Sequence, residues 1–93
     1  MAKQLIKIEK DFCPACDIVE AILKEHGAEY SKLNIQASGT PDKEKEADTA
    51  REYLAEIGLF TVPVTILVED KKVVDFAKGA DREKLAEFAE AVR

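Results

Sequence analysis

Two cysteines stand two residues apart in the run FCPACDIVEA, residues 12–21, and the chain has no others. Paired thiols at this spacing admit three chemistries: a stapled loop, half of a metal site, or a dithiol that cycles with its disulfide. A structural disulfide here would close a tiny loop and remove little chain entropy. A zinc or iron–sulfur site takes about four ligands. The sole histidine, His26, lies at the far end of the helical pattern that follows the cysteines. A metal would therefore have to be shared between two chains. The redox reading needs nothing further. Pro14 suits the first position of a helix, where its missing N–H costs nothing. That places Cys13 at the N-cap, facing free backbone N–H groups and the positive end of the helix dipole. Both favour a thiolate, lowering the pKa below the roughly 8.5 of a free thiol. Cys16, one turn further in, is placed to attack a mixed disulfide formed on Cys13. Cys13 is thus the exposed nucleophile and Cys16 the shielded resolving thiol. Lys10 adds a positive charge three residues before Cys13.

The elements that must hold this pair can be read along the chain. QLIKI (4–8) reads as a short strand. Ala15, Ile18, Val19, Ile22 and Leu23 recur at helical spacing, and Gly27 supplies a left-handed stop. EYSKLNI (29–35) alternates as a second strand. Thr40 is an N-cap, with Pro41 in the first turn and Asp42 near the positive helix end. Ala47, Ala50, Leu54 and Ile57 line one face of the helix that follows, and Gly58 ends it. VTILVED (64–70) and KVVDFAK (72–78) form a hairpin of β-branched strands. Asp81 caps a last helix whose Leu85, Phe88, Ala89 and Val92 face inward. The order βαβαββα implies two parallel strands with a right-handed crossover, an antiparallel hairpin, and helices on both faces of a four-stranded mixed sheet.

Composition sets the frame. The 93 residues suit one domain, 1–93, with a modest core. Hydrophobic residues make up 46% and charged residues 35%, as in a globular chain. No apolar run approaches the roughly 18 residues of a membrane span, and the N-terminus lacks a secretory pattern. A net charge of −5 disfavours nucleic acid and anionic membranes as partners. A cytoplasmic monomer is expected. The charged run DKEKEAD (42–48), within the stretch 36–50, reads as a solvated helix face with local ion pairs, or alternatively as a partner-docking surface.

A second signal is FTVPVTIL (60–67). A proline before a β-branched strand marks a strand start. A cis Val62–Pro63 bond would also turn the chain and offer the backbone of Val62 to an extended substrate. FCPAC after the first strand, TVP before the third and KGAD (78–81) before the last helix resemble the glutaredoxin branch of the thioredoxin superfamily, over nearly the whole chain. The resemblance implies a thioredoxin/glutaredoxin α/β fold and a thiol–disulfide oxidoreductase, with Cys13 as nucleophile, Cys16 as resolver and Pro63 in cis. It implies substrate contacts at Lys10, Phe12, Val62, Pro63, Gly79, Ala80 and Asp81. It implies no bound cofactor or metal, glutathione as a possible co-substrate, a disulfide-containing protein as substrate, and glutathione or a reductase as electron donor. The alternative is a metal or iron–sulfur carrier that uses the same thiols across a dimer. Three positions depart from the family pattern. Ala15 stands where an aromatic residue is usual, Ala80 where a second glycine is common, and Arg82 where a second acidic residue follows the aspartate. These predict weak use of glutathione and better turnover with an enzymatic dithiol donor.

Overall fold

The computed structural model describes residues 2–92; Met1 and Arg93, the ends of the expected domain, lie outside the described residues. The elements are β1 (Lys3–Glu9), α1 (Pro14–Glu25), β2 (Ser31–Asn34), α2 (Pro41–Ile57), β3 (Val64–Glu69), β4 (Lys72–Lys78) and α3 (Arg82–Ala91). β1 runs one residue beyond the expected strand at each end, and β2 is shorter than the alternation in 29–35 suggests. β3 ends at Glu69 because Asp70 and Lys71, both at positive φ, make the hairpin turn.

The sheet order is β2-β1-β3-β4. β1 pairs parallel with β2 and antiparallel with β3, and β3 pairs antiparallel with β4. Side chains alternate between faces along each strand. Leu5, Leu67 and Ala77 pack under Val19, Ile22 and Leu23 of α1 and Leu85 and Phe88 of α3. Ile6, Ile8, Val64, Ile66 and Val68 pack on the other face against Ala50 and Leu54 of α2. The two central strands are therefore covered on both sides.

Local chemistry sets the helix ends. Thr40 Oγ1 accepts from Lys43 N–H (3.1 Å) and Asp81 Oδ1 from Lys84 N–H (3.1 Å), each satisfying one orphan donor of a first turn. Gly58 ends α2 at φ 70°, where an L side chain costs about 1–2 kcal/mol. Not every apolar residue at helical spacing in α1 is buried. Cys16, Val19, Ile22 and Leu23 are buried, whereas Ala15 and Ile18 are exposed beside the cysteine turn. The buried stripe starts from the second cysteine itself and leaves Ala15 and Ile18 on the outside.

Ile8 is fully buried at the end of β1, just before the loop that carries Cys13. Ile8→Ala should cost about 2–5 kcal/mol, read as a lowered urea midpoint at unchanged slope. A loss well under 1 kcal/mol would mean that this strand end does not anchor the core.

Candidate functional site

The register brings four loops to one end of the sheet. Ile8 pairs with Val64, Val64 with Lys78, and Glu9 with Asn34. The chain leaving β1 toward Cys13, the segment entering β3 through Val62 and Pro63, the chain leaving β4 through Gly79, and the chain leaving β2 all meet there. The Val62–Pro63 bond is cis. Gly79 N–H donates to the Pro63 carbonyl (2.9 Å), joining two of the segments that carry expected site residues. Gly79 itself sits at φ 67°.

Cys13 is the N-cap of α1, in extended backbone, with Pro14 at the first helical position. Its sulfur accepts the N–H of Cys16 at 3.1 Å. The two cysteines are joined in a disulfide with Cα atoms 5.2 Å apart. Cys13 is half-buried and Cys16 is buried, at 3% exposure. Once the bond is reduced, the first sulfur has access and an N–H donor at a helix start, which favours its anion. The second stands inside the helix against the core. Such a pair is built for thiol–disulfide exchange.

Phe12 has φ 52° and is 99% exposed. A bulky side chain is uncommon in that region, and here it stands wholly in water next to the N-cap cysteine. Phe60, 91% exposed, precedes Thr61 and Val62 on the neighbouring loop; the sequence reading missed it. Lys10, Ala80 and Asp81 are exposed at this end, and Val62 is half-buried. Asp81 already caps α3, and Arg82 pairs with Glu25 of α1 (3.4 Å). The loop before Cys13 is tied to β2 by a polar chain. Asp11 N–H donates to Gln36 Oε1 (2.8 Å), Gln36 N–H to Asn34 Oδ1 (2.7 Å), and Asn34 Nδ2 to Asp11 Oδ1 (2.9 Å). The charged run on α2 joins this edge as well, since Glu46 accepts from Asn34 N–H (2.8 Å). Among the described residues, no group of three or more His, Cys, Asp or Glu side chains is placed to hold a metal ion. His26 is at the opposite end of α1 from the cysteines.

A charge cluster beneath the cysteines was not foreseen. Lys7 is 1% exposed. Its ammonium pairs with Glu9 (2.8 Å) and Glu20 (3.1 Å) and donates to the Cys16 carbonyl (3.3 Å). Glu20 also pairs with Lys32 (2.9 Å) and Lys24 (3.0 Å). Hydrogen bonds from Lys32, then Lys24 and Lys7, hold the Glu20 carboxyl well below the usual carboxylate range, and the same bond pushes Lys32 up. Burial raises Tyr30 alongside, with the charge of Glu20 adding to it.

The family model described as Glutaredoxin matches residues 6–74; the match covers the cysteines and the cis-proline and ends before Gly79. No curated protein matches the chain. Among solved structures, the glutaredoxin grx-1 of Archaeoglobus fulgidus aligns at 23% identity with a TM-score of 0.65, over 95% of this chain and 86% of that one. Thioredoxin of Fasciola hepatica aligns at 23% identity and TM-score 0.62, over 99% and 82%. Thioredoxin of Malassezia sympodialis aligns at 16% identity and TM-score 0.65, over 98% and 76%. The architecture is the thioredoxin/glutaredoxin fold.

A carboxyl whose folded pKa is depressed stabilises the fold above its unfolded pKa, here near 4.5, and loses that contribution as pH falls toward the folded value. Glu20→Gln should therefore cost about 1 kcal/mol at neutral pH. The gap from wild type should narrow once pH drops below the unfolded value. Urea unfolding at neutral and acidic pH reads this; a gap that widens in acid would contradict the cluster's sign.

Proposed function

The chain belongs to the glutaredoxin family, and we propose that it is a dithiol–disulfide oxidoreductase acting on protein disulfides through Cys13 and Cys16. The observation that carries this reading is the asymmetry of the pair: an accessible sulfur at a helix N-cap and a buried one a turn later. The Cys13 thiolate attacks one sulfur of a substrate disulfide and releases the other as a thiolate, forming a mixed disulfide. Cys16 then gives up its proton, and its thiolate attacks the Cys13 sulfur. The mixed disulfide breaks, the second substrate thiolate leaves, and the Cys13–Cys16 disulfide forms. Two electrons pass to the substrate, and both released thiolates take up protons from water.

Around the sulfurs, the backbone of Val62 beside Pro63 offers pairing to an extended substrate segment. Phe12 and Phe60 add apolar surface that suits a protein substrate better than a small anionic one. We assign Lys10, Gly79, Ala80 and Asp81 to the flanking contacts. Glutathione is negative at both ends and needs positive charge and backbone donors. Lys10 supplies one such charge. Ala80 places a methyl on the approach to the backbone, Asp81 is engaged as a cap, and Arg82 is paired with Glu25. Weak glutathione use, and reduction by an enzymatic dithiol donor, follow. Residence in the cytoplasm as a monomer belongs to the same proposal.

Cys13→Ser should abolish reduction of an insulin disulfide, whereas Cys16→Ser should accumulate a substrate-sized adduct on Cys13, seen by mass spectrometry. Loss of activity without any adduct in Cys16→Ser would contradict the two-step route. For the donor, steady-state rates with glutathione plus its reductase should fall below those with thioredoxin and its reductase at physiological concentrations. Asp81→Asn keeps the α3 cap and removes the charge, so it should leave stability unchanged and lower any glutathione-coupled rate. Efficient glutathione turnover, lost in Lys10→Ala, would reverse the donor assignment.

A further inference from the structure

Lys7 is the only charged side chain among the described residues that is fully buried, and its ammonium is in direct contact with Cys16 through the backbone carbonyl. Burying an ammonium costs several kcal/mol unless it is paired; a strand that needed only core would carry an apolar residue here. The two carboxylates that pair with it, on Glu9 and Glu20, each keep about a fifth of their surface in water. The positive charge thus lies on the inner side of the cluster, against the turn that holds Cys16, and the negative charges lie on the outer side. Thr65, also fully buried, stands directly opposite Lys7 on β3. Its hydroxyl has no hydrogen-bond partner among the described residues. Two polar side chains therefore occupy the same buried layer at the cysteine end of the sheet. Every other group facing this layer has a structural partner or an outer position: Glu9 on β1, Glu20 and Lys24 on α1, Tyr30 before β2 and Lys32 on it.

We infer that Lys7 is a positioning residue for the resolving thiol: it fixes the Cys16 turn through its carbonyl and favours the anionic form of the Cys16 sulfur. The inference rests on the reading of Cys16 as the resolver. In the step concerned, the Cys16 thiol loses its proton to water, and the resulting thiolate attacks the Cys13 sulfur and expels the substrate thiolate. A buried thiolate is opposed by desolvation, and an ammonium held against the backbone of the same residue offsets part of that cost. Glu20 acts with the opposite sign, because its carboxylate screens Lys7. The accessible sulfur lies at the surface, and the residue that sets the second step sits under it.

The test uses the full chain carrying Cys13→Ser, which leaves Cys16 as the sole thiol, and follows thiolate absorbance in the ultraviolet against pH. Adding Lys7→Met, of similar length and apolar, should move the Cys16 titration up by about 1–2 pH units. Adding Glu20→Gln should move it down, since Glu9 still pairs with Lys7 and keeps it charged. A purely structural role would move both variants the same way. If Lys7→Met does not fold, as judged by circular dichroism, the Glu20→Gln result decides: a downward shift supports the assignment, and an upward shift or none overturns it. An unmoved titration in folded Lys7→Met also overturns it. No substrate takes part, so the result stands apart from whether the wild-type chain reduces insulin, which tests the functional reading separately.

Discussion

A helix begins with backbone N–H groups that have no partner inside it, and α1 meets one of them with a sulfur. The N-cap is usually an oxygen of Ser, Thr, Asp or Asn, as at Thr40 and Asp81 of this chain. At Cys13 the same geometry is kept with a thiol in place of a hydroxyl or carboxylate. The cap gives the first sulfur a backbone N–H donor and, by fixing the first turn, places Cys16 within bonding reach of it. Most of the surrounding structure serves to hold this cap where a substrate can find it. Pro14 starts the helix, the Asp11–Asn34–Gln36 chain pins the preceding loop to β2, and Gly79 N–H ties the β4 exit to Pro63.

The two sides of the cysteine turn are built differently. The outer side is open, with Phe12, Ala15, Ile18 and Phe60 exposed alongside the charged Lys10, Asp11 and Asp17. The inner side is charged and closed, with Lys7 and its carboxylate partners beneath the buried cysteine. Exposed aromatic side chains suit the extended protein substrate we propose, and an inner cation suits the second thiolate that the same proposal requires. The two sulfurs thus differ in their surroundings as well as in their order along the chain.

The element order, the helix caps and the Cys13–Cys16 turn were legible in the sequence because each has a local cause: turn residues, N-cap oxygens, or apolar spacing. The cis bond at Val62–Pro63 came from family resemblance, since a proline before a strand has a simpler local reading. Lys7 was hidden by the same rule that revealed its strand. In QLIKI the lysine falls on the alternate positions that a half-exposed strand turns to water. β1 is a central strand covered on both faces, so it has no such side. The usable signal was topological: a charged residue in the middle of a central strand between two helix layers must have a partner, and Glu20 lies one turn after Cys16. Ala15 and Ile18 show the limit of spacing. They fit the helical repeat, but the buried stripe runs through Cys16, Val19, Ile22 and Leu23 and leaves them exposed. Phe60 carries no local pattern at all; its exposure is visible only once the loop is in place.

The central claim is that the N-cap sulfur is the reactive one. Brief exposure of the fully reduced chain to a limiting alkylating agent at mildly acidic pH, followed by peptide mass mapping, tests it without choosing a substrate or a donor. The label should appear on Cys13 while Cys16 remains free. Labelling of Cys16 first, or of both at equal rates, would contradict it.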